Sequence, residues 1–394
     1  MTTDHGEAAL HNRVVFNATA FRGAVSSYLL MGVAVSMLGP LIDTFATKFH
    51  IGLGEVGLVL SAFAVGGLAG NIASWWGLNV AHGRTVIQAS VLTVALGCLG
   101  IAASPSWALL LVSVAIFGAG FSAINIGLNT LMTRTALDVR GRQLSVGNAS
   151  FGAGAVLGPV LIAVLTTHRY HLAYLLILPL AVAAIFFIRS LHALPLKGLD
   201  TSKRVAIDPK HRKPILLTFI AIFNCYLLLE SSTSGWLATV VHHDGHSSSF
   251  ASLITAGFWG GLGLGRYLAG KLHPRVSAAR IVASGIALCI VIAPFAIISA
   301  LAPFVFPIVG LVISSTFPMG LMWYSELVPH DSNGISAIIL CMVVGTTLGP
   351  WMTGQFVAHF GVHAVPITIA CEAVLLLGVL STAFRFRTLE PSIN

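Results

Sequence analysis

The chain has 394 residues, of which 56% are hydrophobic and only 9% are charged, and its net charge is +8 at pH 7. A typical soluble domain has about 25% charged residues, so this composition excludes an ordinary soluble protein and indicates one that crosses a lipid bilayer. The basic excess would fit a nucleic-acid-binding protein, but the positions of the charges argue against that class.

Twelve apolar segments are long enough to cross a bilayer as helices, since each crossing needs about 20 residues. In chain order, spans 1 to 12 are predicted at 24–46, 55–79, 85–104, 107–132, 144–166, 172–191, 214–240, 250–270, 280–300, 304–326, 334–358 and 363–384. The sequence therefore predicts an all-α membrane protein with twelve transmembrane helices.

Basic residues are distributed unevenly between the two sides of the predicted spans. Of the 21 Lys and Arg residues, all but Lys48, Arg169 and Arg266 lie in the two tails, in loops that follow even-numbered spans or, for Arg189 and Arg280, at the span ends that border those loops. Cytoplasmic loops carry the excess of Lys and Arg, so both termini are predicted in the cytoplasm and the chain in the cell inner (plasma) membrane. The charge is thus a topology signal, and no nucleic-acid partner is expected.

One charged linker, "HALPLKGLDTSKRVAIDPKHRK", divides the spans six and six. The predicted organisation is an N-terminal six-helix bundle (1–191), a cytoplasmic linker (192–213) and a C-terminal six-helix bundle (214–394).

The two halves contain a weak internal repeat. "SAFAVGGLAGN" in span 2 aligns with "AGFWGGLGLGR" in span 8 at an offset of 195 residues, and "VLGPVL" in span 5 aligns with "TLGPWM" in span 11 at an offset of 191. Such symmetry is typical of transporters built from two related bundles. The matched residues of spans 2 and 8 are Phe63 with Phe258, Gly66 with Gly261, and Gly70 with Gly265.

The cysteines and histidines do not indicate a metal or a cofactor. All five cysteines lie in predicted spans without metal-ligand spacing, so we interpret them as small buried hydrophobic residues. The loop "VHHDGHSSS" brings His242, His243 and His246 close enough to Asp244 to share an ion. Short flexible loops rarely preorganise a metal site, so we predict none, and metal binding by these histidines stays open.

The segment "NCYLLLESSTSGW" places Glu230 within span 7. A bare carboxylate in hydrocarbon costs several kcal/mol unless it is neutral, paired or hydrated. At helical spacing Tyr226, Thr233 and Ser234 share its face and offer hydroxyl groups. Burial favours the protonated form, so we predict that Glu230 binds and releases a coupling ion; the alternative is a permanently neutral Glu230 that bonds a neighbouring helix.

Three other acids lie at or near membrane depth. Asp43 and Glu326 are near span ends, where headgroups or water can solvate them. Glu372 is within span 12, and we interpret it as a hydrogen-bonding group between helices.

Neutral amides in the spans suit a hydroxyl-rich solute, because they offer paired donors and acceptors. The alternative for each is a hydrogen bond between helices, and for each tryptophan plain packing. Arg266 is interpreted as a gating residue or one that extends to the membrane interface. The predicted substrate-binding residues are Asn125, Asn129, Asn148, Asn224, Tyr226, Trp259, Trp351 and Gln355.

This layout resembles the major facilitator superfamily, and within it the fucose–proton symporter family and its sodium-linked glucose-transporter relatives. The spacing of Tyr226, Glu230 and Trp236 in span 7 is similar to theirs, as are "GFWGGLGLGRYLAG" in span 8 and "GAGFSAINIGLNTL" in span 4. The resemblance implies the twelve-helix fold, transport by alternating access, and a central cavity bordered by spans 4, 5, 7, 8 and 11.

The chain departs from the family pattern at two places. The loop "GLNVAHGRT" between spans 2 and 3 lacks the Asp and several of the Arg residues usual in the superfamily. The two coupling carboxylates of the fucose symporters correspond to Gly39 and Asn125 here. Proton coupling by their route is therefore not implied.

Together these patterns predict a monomeric secondary active symporter that moves a small polar, sugar-like solute inward with H⁺ or Na⁺ coupled at Glu230. No ATP-binding or intramembrane enzyme motif is present, so we expect neither an enzyme nor a cofactor. Two alternatives are a proton-driven exporter of amphipathic compounds, which would favour a more apolar cavity, and a receptor that binds its ligand without uphill movement.

Overall fold

The computed structural model describes residues 14–135, 137–195, 209–329 and 331–389. Within these residues, eleven helical segments are long and apolar enough to cross a membrane. The helix of span 8, Ser248–Leu272, has 25 residues, but its glycines, serines and Arg266 lower its mean hydropathy. Each of the twelve predicted spans coincides with helix, so the predicted all-α membrane fold is confirmed.

Five spans consist mainly of one long helix: Gly83–Ala103 (span 3), Trp107–Met132 (span 4), Leu137–Leu165 (span 5), Pro209–His243 (span 7) and Ser248–Leu272 (span 8). The others are interrupted or continue as 3₁₀ turns. Their segments are Ala18–Ser36, Gly39–Leu41 and Ile42–Phe49 (span 1); Leu53–Val56 and Leu58–Val80 (span 2); Thr167–Arg169, Tyr170–Leu176 and Leu178–Ile188 (span 6); Ala278–Ile292 and Ala293–Ile297 (span 9); Ala302–Ile313 and Thr316–Leu327 (span 10); Ser332–Cys341 and Val343–Phe360 (span 11); and Ala364–Ala383 and Phe384–Leu389 (span 12).

The chain divides into two compact units. Unit 1 comprises the described residues of 1–41 and 62–199, and unit 2 those of 42–61 and 200–394. Residues 42–61, which belong by sequence to the N-terminal half, thus pack in unit 2. Of the predicted linker, 196–208 lies outside the described residues. In unit 1 two short strands, Val14–Val15 and His192–Ala193, pair antiparallel.

Span 1 is interrupted where the chain passes from unit 1 to unit 2. The helix Ala18–Ser36 is followed by the 3₁₀ turn Gly39–Leu41 and then by the helix Ile42–Phe49. Pro40 has no backbone N–H, so it cannot continue an α-helical hydrogen-bond ladder. A short 3₁₀ stretch inside a helix is a common hinge, and this one coincides with the boundary between the units.

Close backbone contacts between small residues hold unit 1 together. A methyl group added at Gly66 of span 2 would collide with the carbonyl oxygen of Ala115 in span 4, and one added at Gly70 with that of Ala119. Membrane helices gain little from the hydrophobic effect when they associate, so this close approach supplies van der Waals contact instead.

Unit 2 repeats the same contact between spans 8 and 10. A methyl group at Gly261 would collide with the carbonyl oxygen of Pro307, and one at Gly265 with that of Leu311. These are the two glycines that the sequence repeat aligned with those of span 2. The repeat is therefore visible in the packing of each unit.

Spans 5 and 11 show a second repeated contact, at the glycine of the aligned Leu-Gly-Pro sequences. In unit 1, Gly158 approaches the carbonyl oxygen of Val33 in span 1; in unit 2, Gly349 approaches that of Leu228 in span 7. Val33 and Leu228 are 195 residues apart, the offset already found between spans 2 and 8. Span 1 thus corresponds to span 7 in the repeat.

Candidate functional site

Glu230 lies within the 35-residue helix Pro209–His243 of unit 2, and only 14% of its side chain is exposed. The hydroxyl of Tyr226, one turn earlier, donates a hydrogen bond to Oε2 of Glu230. Tyr226 is itself fully buried. The i−4 neighbour expected from the sequence is therefore in contact with the carboxylate.

Arg266 supplies a positive charge to the same carboxylate. Its Nη2 lies 3.8 Å from Oε2 of Glu230, and its side chain is 35% exposed. Arg266 lies near the C-terminal end of span 8. Helical side chains lean toward the N-terminus of their helix, so the arginine extends toward the middle of the span. We call Tyr226, Glu230 and Arg266 the Glu230 cluster.

Within the Glu230 cluster, Arg266 keeps an N–H group that donates no hydrogen bond. Arg266 interacts electrostatically with both Tyr226 and Glu230, yet its Nε is buried without a hydrogen-bond partner. The pairing of Arg266 with Glu230 was missed from the sequence. A signal was available, because an arginine inside a span needs a counter-charge and Glu230 is the acid of the adjacent span.

The two other hydroxyls expected beside Glu230 are used elsewhere. Thr233 donates to the carbonyl oxygen of Leu229 at 2.7 Å. Ser234 donates to that of Ser231 at 3.4 Å. Both side chains therefore bond to their own helix.

Two amides of unit 2 connect elements to one another. The Oδ1 of Asn224 accepts a hydrogen bond from the backbone N–H of Gly345 in span 11 at 2.9 Å, and its Nδ2 donates to the carbonyl of Ile220 at 2.8 Å. The Nε2 of Gln355 donates to the carbonyl of Gly54 at 3.3 Å.

The amides of unit 1 are more accessible. In span 4, the Nδ2 of Asn129 donates to Oδ1 of Asn125 at 2.9 Å and to its carbonyl oxygen at 2.8 Å. Asn148 of span 5 donates to the carbonyl of Leu144 at 2.9 Å. Asn125 and Asn148 are exposed, so each has polar atoms available to a solute.

The tryptophans of unit 2 differ in their surroundings. Trp351 is 41% exposed, while the ring centroid of Trp259 lies 5.8 Å from that of Phe258. Trp236 is fully buried, and its indole N–H donates to the carbonyl of Pro350 at 3.0 Å. Its ring also packs against Gly57.

Glu372 of span 12 is a second buried carboxyl beside span 7. It is 6% exposed, and its Oε1 accepts a hydrogen bond from Ser232 at 2.8 Å. Its Oε2 is buried without a hydrogen-bond partner. The nearby groups are the thiols of Cys225 and Cys289. The structure thus contains the hydrogen bond between helices that the sequence predicted for Glu372.

Asp331, between spans 10 and 11, centres a network that the sequence did not reveal. It accepts bonds from Arg212 (Nε to Oδ2, 2.8 Å; Nη2 to Oδ1, 2.9 Å), from the Tyr324 hydroxyl (2.6 Å) and from the Gly334 N–H (2.8 Å). Burial alone would raise the pKa of Asp331, but these hydrogen bonds hold that pKa below its ordinary value. The network therefore stabilises a charged carboxylate.

The histidines of the loop 241–249 have different partners. The Nδ1 of His242 lies 3.0 Å from the carbonyl oxygen of His246, and the Nε2 of His243 lies 3.7 Å from Oδ1 of Asp43. Among the described residues, no group of three or more His, Cys, Asp or Glu side chains could hold a metal ion.

Comparison with known proteins decides the family. The sequence profile of the Major Facilitator Superfamily matches residues 24–340. The chain belongs to this superfamily. It is 25% identical over 373 residues to an uncharacterized MFS-type transporter, YcaD, of Escherichia fergusonii. That alignment covers 90% of this chain and 94% of the relative. The YcaD of Shigella sonnei is 24% identical over 371 residues, with the same shares covered.

Solved structures of the superfamily share the fold. A D-xylose–proton symporter has a TM-score of 0.77 at 14% identity, over 95% of this chain and 98% of the symporter. The transporter FucP, in its outward conformation, has a TM-score of 0.62 at 15% identity, over 92% and 98%.

These findings confirm the resemblance to the superfamily. The chain is a multi-pass membrane protein of a family of secondary transporters, which work by alternating access and are not enzymes. The identities to the solved structures are low enough that the likeness shows the fold alone.

Proposed function

We propose that this superfamily member is a symporter that moves a small polar, sugar-like solute, coupled to a cation at Glu230. The observation that carries the proposal is the Glu230 cluster, in which a carboxylate at membrane depth contacts both a buried hydroxyl and a guanidinium. Ionisable residues inside a membrane are costly, and they commonly mark ion pathways.

The Glu230 cluster supports a two-state coupling mechanism. When Glu230 is anionic, Arg266 neutralises it and Tyr226 donates a hydrogen bond to it. When Glu230 is protonated, Arg266 loses its counter-charge and becomes available to a solute or to water. Protonation thus changes the interaction between spans 7 and 8, and a solute that interacts differently with the two states is coupled to the proton.

The contacts favour a proton over sodium as the coupling ion. A sodium ion at Glu230 would lie close to the Arg266 guanidinium, which repels it. Thr233 and Ser234, the two other hydroxyls expected beside Glu230, already donate to backbone carbonyls of their own helix. A proton needs only the carboxylate oxygen.

A polar, uncharged solute fits the accessible side chains. Asn125 and Asn148 expose amide groups, and Trp351 exposes an aromatic ring suited to a sugar face. The xylose–proton symporter shows that this fold can carry such a reaction, which supports the choice of a sugar-like solute. Asn224 and Gln355 act as structural links, so we assign them a smaller part in binding.

We place the protein in the inner (plasma) membrane with both termini in the cytoplasm, because of the distribution of Lys and Arg. We infer that it acts as a monomer, with six helices in each half.

The proposal is tested with purified protein in liposomes. Sugars and other polar solutes are screened for counterflow, and each hit is repeated under a proton gradient and under a sodium gradient. We expect wild type to accumulate the solute under the proton gradient. Glu230→Gln should still exchange the solute but lose accumulation at least about tenfold, because the amide cannot cycle a proton.

The matched control is Glu372→Gln, which changes a buried carboxyl on the other side of span 7 and should accumulate solute as wild type does. Accumulation by Glu230→Gln at the wild-type level would contradict coupling at Glu230. Counterflow of no sugar, with exchange of amphipathic compounds instead, would contradict the solute class.

A further inference from the structure

Beyond the Glu230 cluster, unit 2 contains two carboxylates that face histidines at one end of its helices. We call the set Asp43, His243, Asp244, Ser299 and His363 the His–Asp cluster. It joins the segment 42–61 to the end of span 7, and the loop after span 7 to the turns that follow spans 9 and 11.

The first pair connects Asp43 with His243. The Nε2 of His243 is 3.7 Å from Oδ1 of Asp43, with side-chain exposures of 45% and 21%. That distance is too long for a hydrogen bond, and Oδ1 of Asp43 is buried without a hydrogen-bond partner. His242 and Thr239 also face Asp43, but the Nδ1 of His242 is engaged by the carbonyl of His246.

The second pair connects Asp244 with His363. The Nδ1 of His363 is 3.8 Å from Oδ1 of Asp244, whose side chain is only 1% exposed. Ser299 donates to the same oxygen at 2.8 Å. The other oxygen, Oδ2, is buried without a hydrogen-bond partner.

In the first pair, His243 faces the oxygen of Asp43 that lacks a donor. In the second pair, His363 faces the oxygen of Asp244 that Ser299 already bonds, and the other oxygen of that carboxylate lacks a donor. Each imidazole is about half exposed. A neutral imidazole compensates neither carboxylate. An imidazolium provides a positive charge and a second N–H donor, and imidazole is the side chain whose charge normally changes between about pH 5 and 8. A buried polar oxygen without a donor is costly, and a charged N–H donor beside it reduces that cost.

Other contacts of the segment 42–61 do not depend on pH in this range. Ser61 donates to the carbonyl of Thr347 at 2.9 Å, Gln355 donates to that of Gly54, and the Trp236 ring packs on Gly57. The remaining titratable residues of the segment are exposed, namely Lys48, His50 and Glu55.

We propose that the His–Asp cluster is a pH-sensitive clasp: protonation of His243 and His363 tightens the hold of span 7 and its loop on the segment 42–61 and on the turn after span 11. The distribution of basic residues predicts that this end faces away from the cytoplasm, so the clasp responds to external pH. Acidification holds this end of unit 2 closed, and alkalinisation loosens it. The inference does not depend on which solute is transported.

The test is hydrogen–deuterium exchange of the full chain in nanodiscs at about pH 6 and pH 8. Wild type is compared with His243→Gln at each pH, so that the intrinsic pH dependence of amide exchange cancels. Peptides of the segment 42–61 should exchange about two- to fivefold more slowly in wild type at pH 6, the size of a partly exposed ion pair, and at equal rates at pH 8. His363→Gln should have the same effect on peptides of the turn after span 11.

His359→Gln is the matched control, because His359 is exposed and its Nδ1 contacts only the carbonyl of its own helix; it should behave as wild type. The proposal would be overturned if wild type exchanged more slowly than the variants by the same factor at both pH values. It would also be overturned if the double variant His243→Gln/His363→Gln kept the slower exchange of wild type at pH 6. Faster exchange in span 4 of unit 1 would show that a histidine variant misfolds. In that case Asp43→Asn and Asp244→Asn replace the histidine variants. Each must abolish the pH-dependent difference in exchange for the proposal to stand.

Discussion

The two units use the same glycine contacts but differ in charge. Gly66 packs on the carbonyl of Ala115 in unit 1, and Gly261 packs on that of Pro307 in unit 2. Such contacts depend on the absence of a side chain, so they are preserved in the repeat wherever the helices must approach closely.

The chemistry is not preserved in the repeat. At the offset of 195 residues, Glu230 corresponds to Val35 and Arg266 to Asn71. Unit 1 therefore has a valine and an amide where unit 2 has an ion pair at membrane depth. The fold therefore does not require the Glu230 cluster, since unit 1 forms the same packing without it.

The largest change in the free energy of unfolding is expected when Asp331, the carboxylate of unit 2 that accepts four hydrogen bonds, is removed. Asp331→Ala should lower the free energy of unfolding by about 3 kcal/mol, because it removes all four hydrogen bonds to a buried charge and leaves Arg212 unpaired. The value is placed at the low end of the usual range because Arg212 is 32% exposed and can be hydrated. Chemical denaturation in detergent measures it.

The pH dependence of this loss has a definite sign. The pKa of Asp331 is lowered in the folded protein, so its contribution is present above the ordinary value of about 4 and is lost as pH falls through the lowered value. The gap between wild type and Asp331→Ala should stay constant from about pH 5 upward and shrink below about pH 4. A gap that widened in acid would contradict this account.

A smaller effect, equal in the two units, is expected from the repeated glycines. Gly66→Ala and Gly261→Ala should each destabilise the protein by about 1–3 kcal/mol, since the added methyl group meets a backbone carbonyl. Gly263→Ala is the control, because nothing lies within 4 Å of the added methyl group. It should be neutral or stabilising by up to about 1 kcal/mol through helix propensity. A strongly unequal cost in the two units would show that the two glycine contacts are not equivalent.

The ion pair that distinguishes unit 2 should show non-additive energies. Arg266→Gln should cost about 1 kcal/mol, reduced by the water that reaches its exposed third, because Glu230 is left without a counter-charge. The double variant Glu230→Gln/Arg266→Gln should recover most of that loss, as a double-mutant cycle of melting curves would reveal. Additive single effects would show that the two side chains do not interact.

The smallest effect is expected at Glu372, which has no basic neighbour within 4 Å among the residues described. Ser232→Ala should cost about 0.6 kcal/mol, the usual value of a hydrogen bond between membrane helices. Glu372→Gln should cost less, since an amide can keep the contact with Ser232. A loss above about 2 kcal/mol in Glu372→Gln would indicate a charged carboxylate that the present contacts do not explain.

Much of the fold was predictable because the membrane limits the choices. Long apolar runs must be helical when no water can bond the backbone, and each predicted span coincides with helix. The aligned glycines also identified the repeat. The packing of residues 42–61 in unit 2 was not predictable, because the interruption at Pro40 gives no sign of which helices each side will contact.

The site was only partly predictable. Helical spacing gave the contact of Tyr226 with Glu230, which depends on one helix alone. The contacts of Arg266 with Glu230, Ser232 with Glu372 and Arg212 with Asp331 join different helices. Which side chains meet across two helices depends on how closely small residues let those helices approach. The spacing of residues along one helix does not contain that information.

The burial of Trp236 gives the protein an optical reporter. Its indole bonds to Pro350 of span 11 and packs on Gly57 of the segment that the His–Asp cluster holds. Movement of that segment would admit water to the ring and shift its emission to the red. Because the indole is fully buried and contacts the segment 42–61, comparison with a Trp236→Phe variant isolates its signal from the other six tryptophans. The opening of this end of unit 2 can then be followed by fluorescence, in real time and without an attached label.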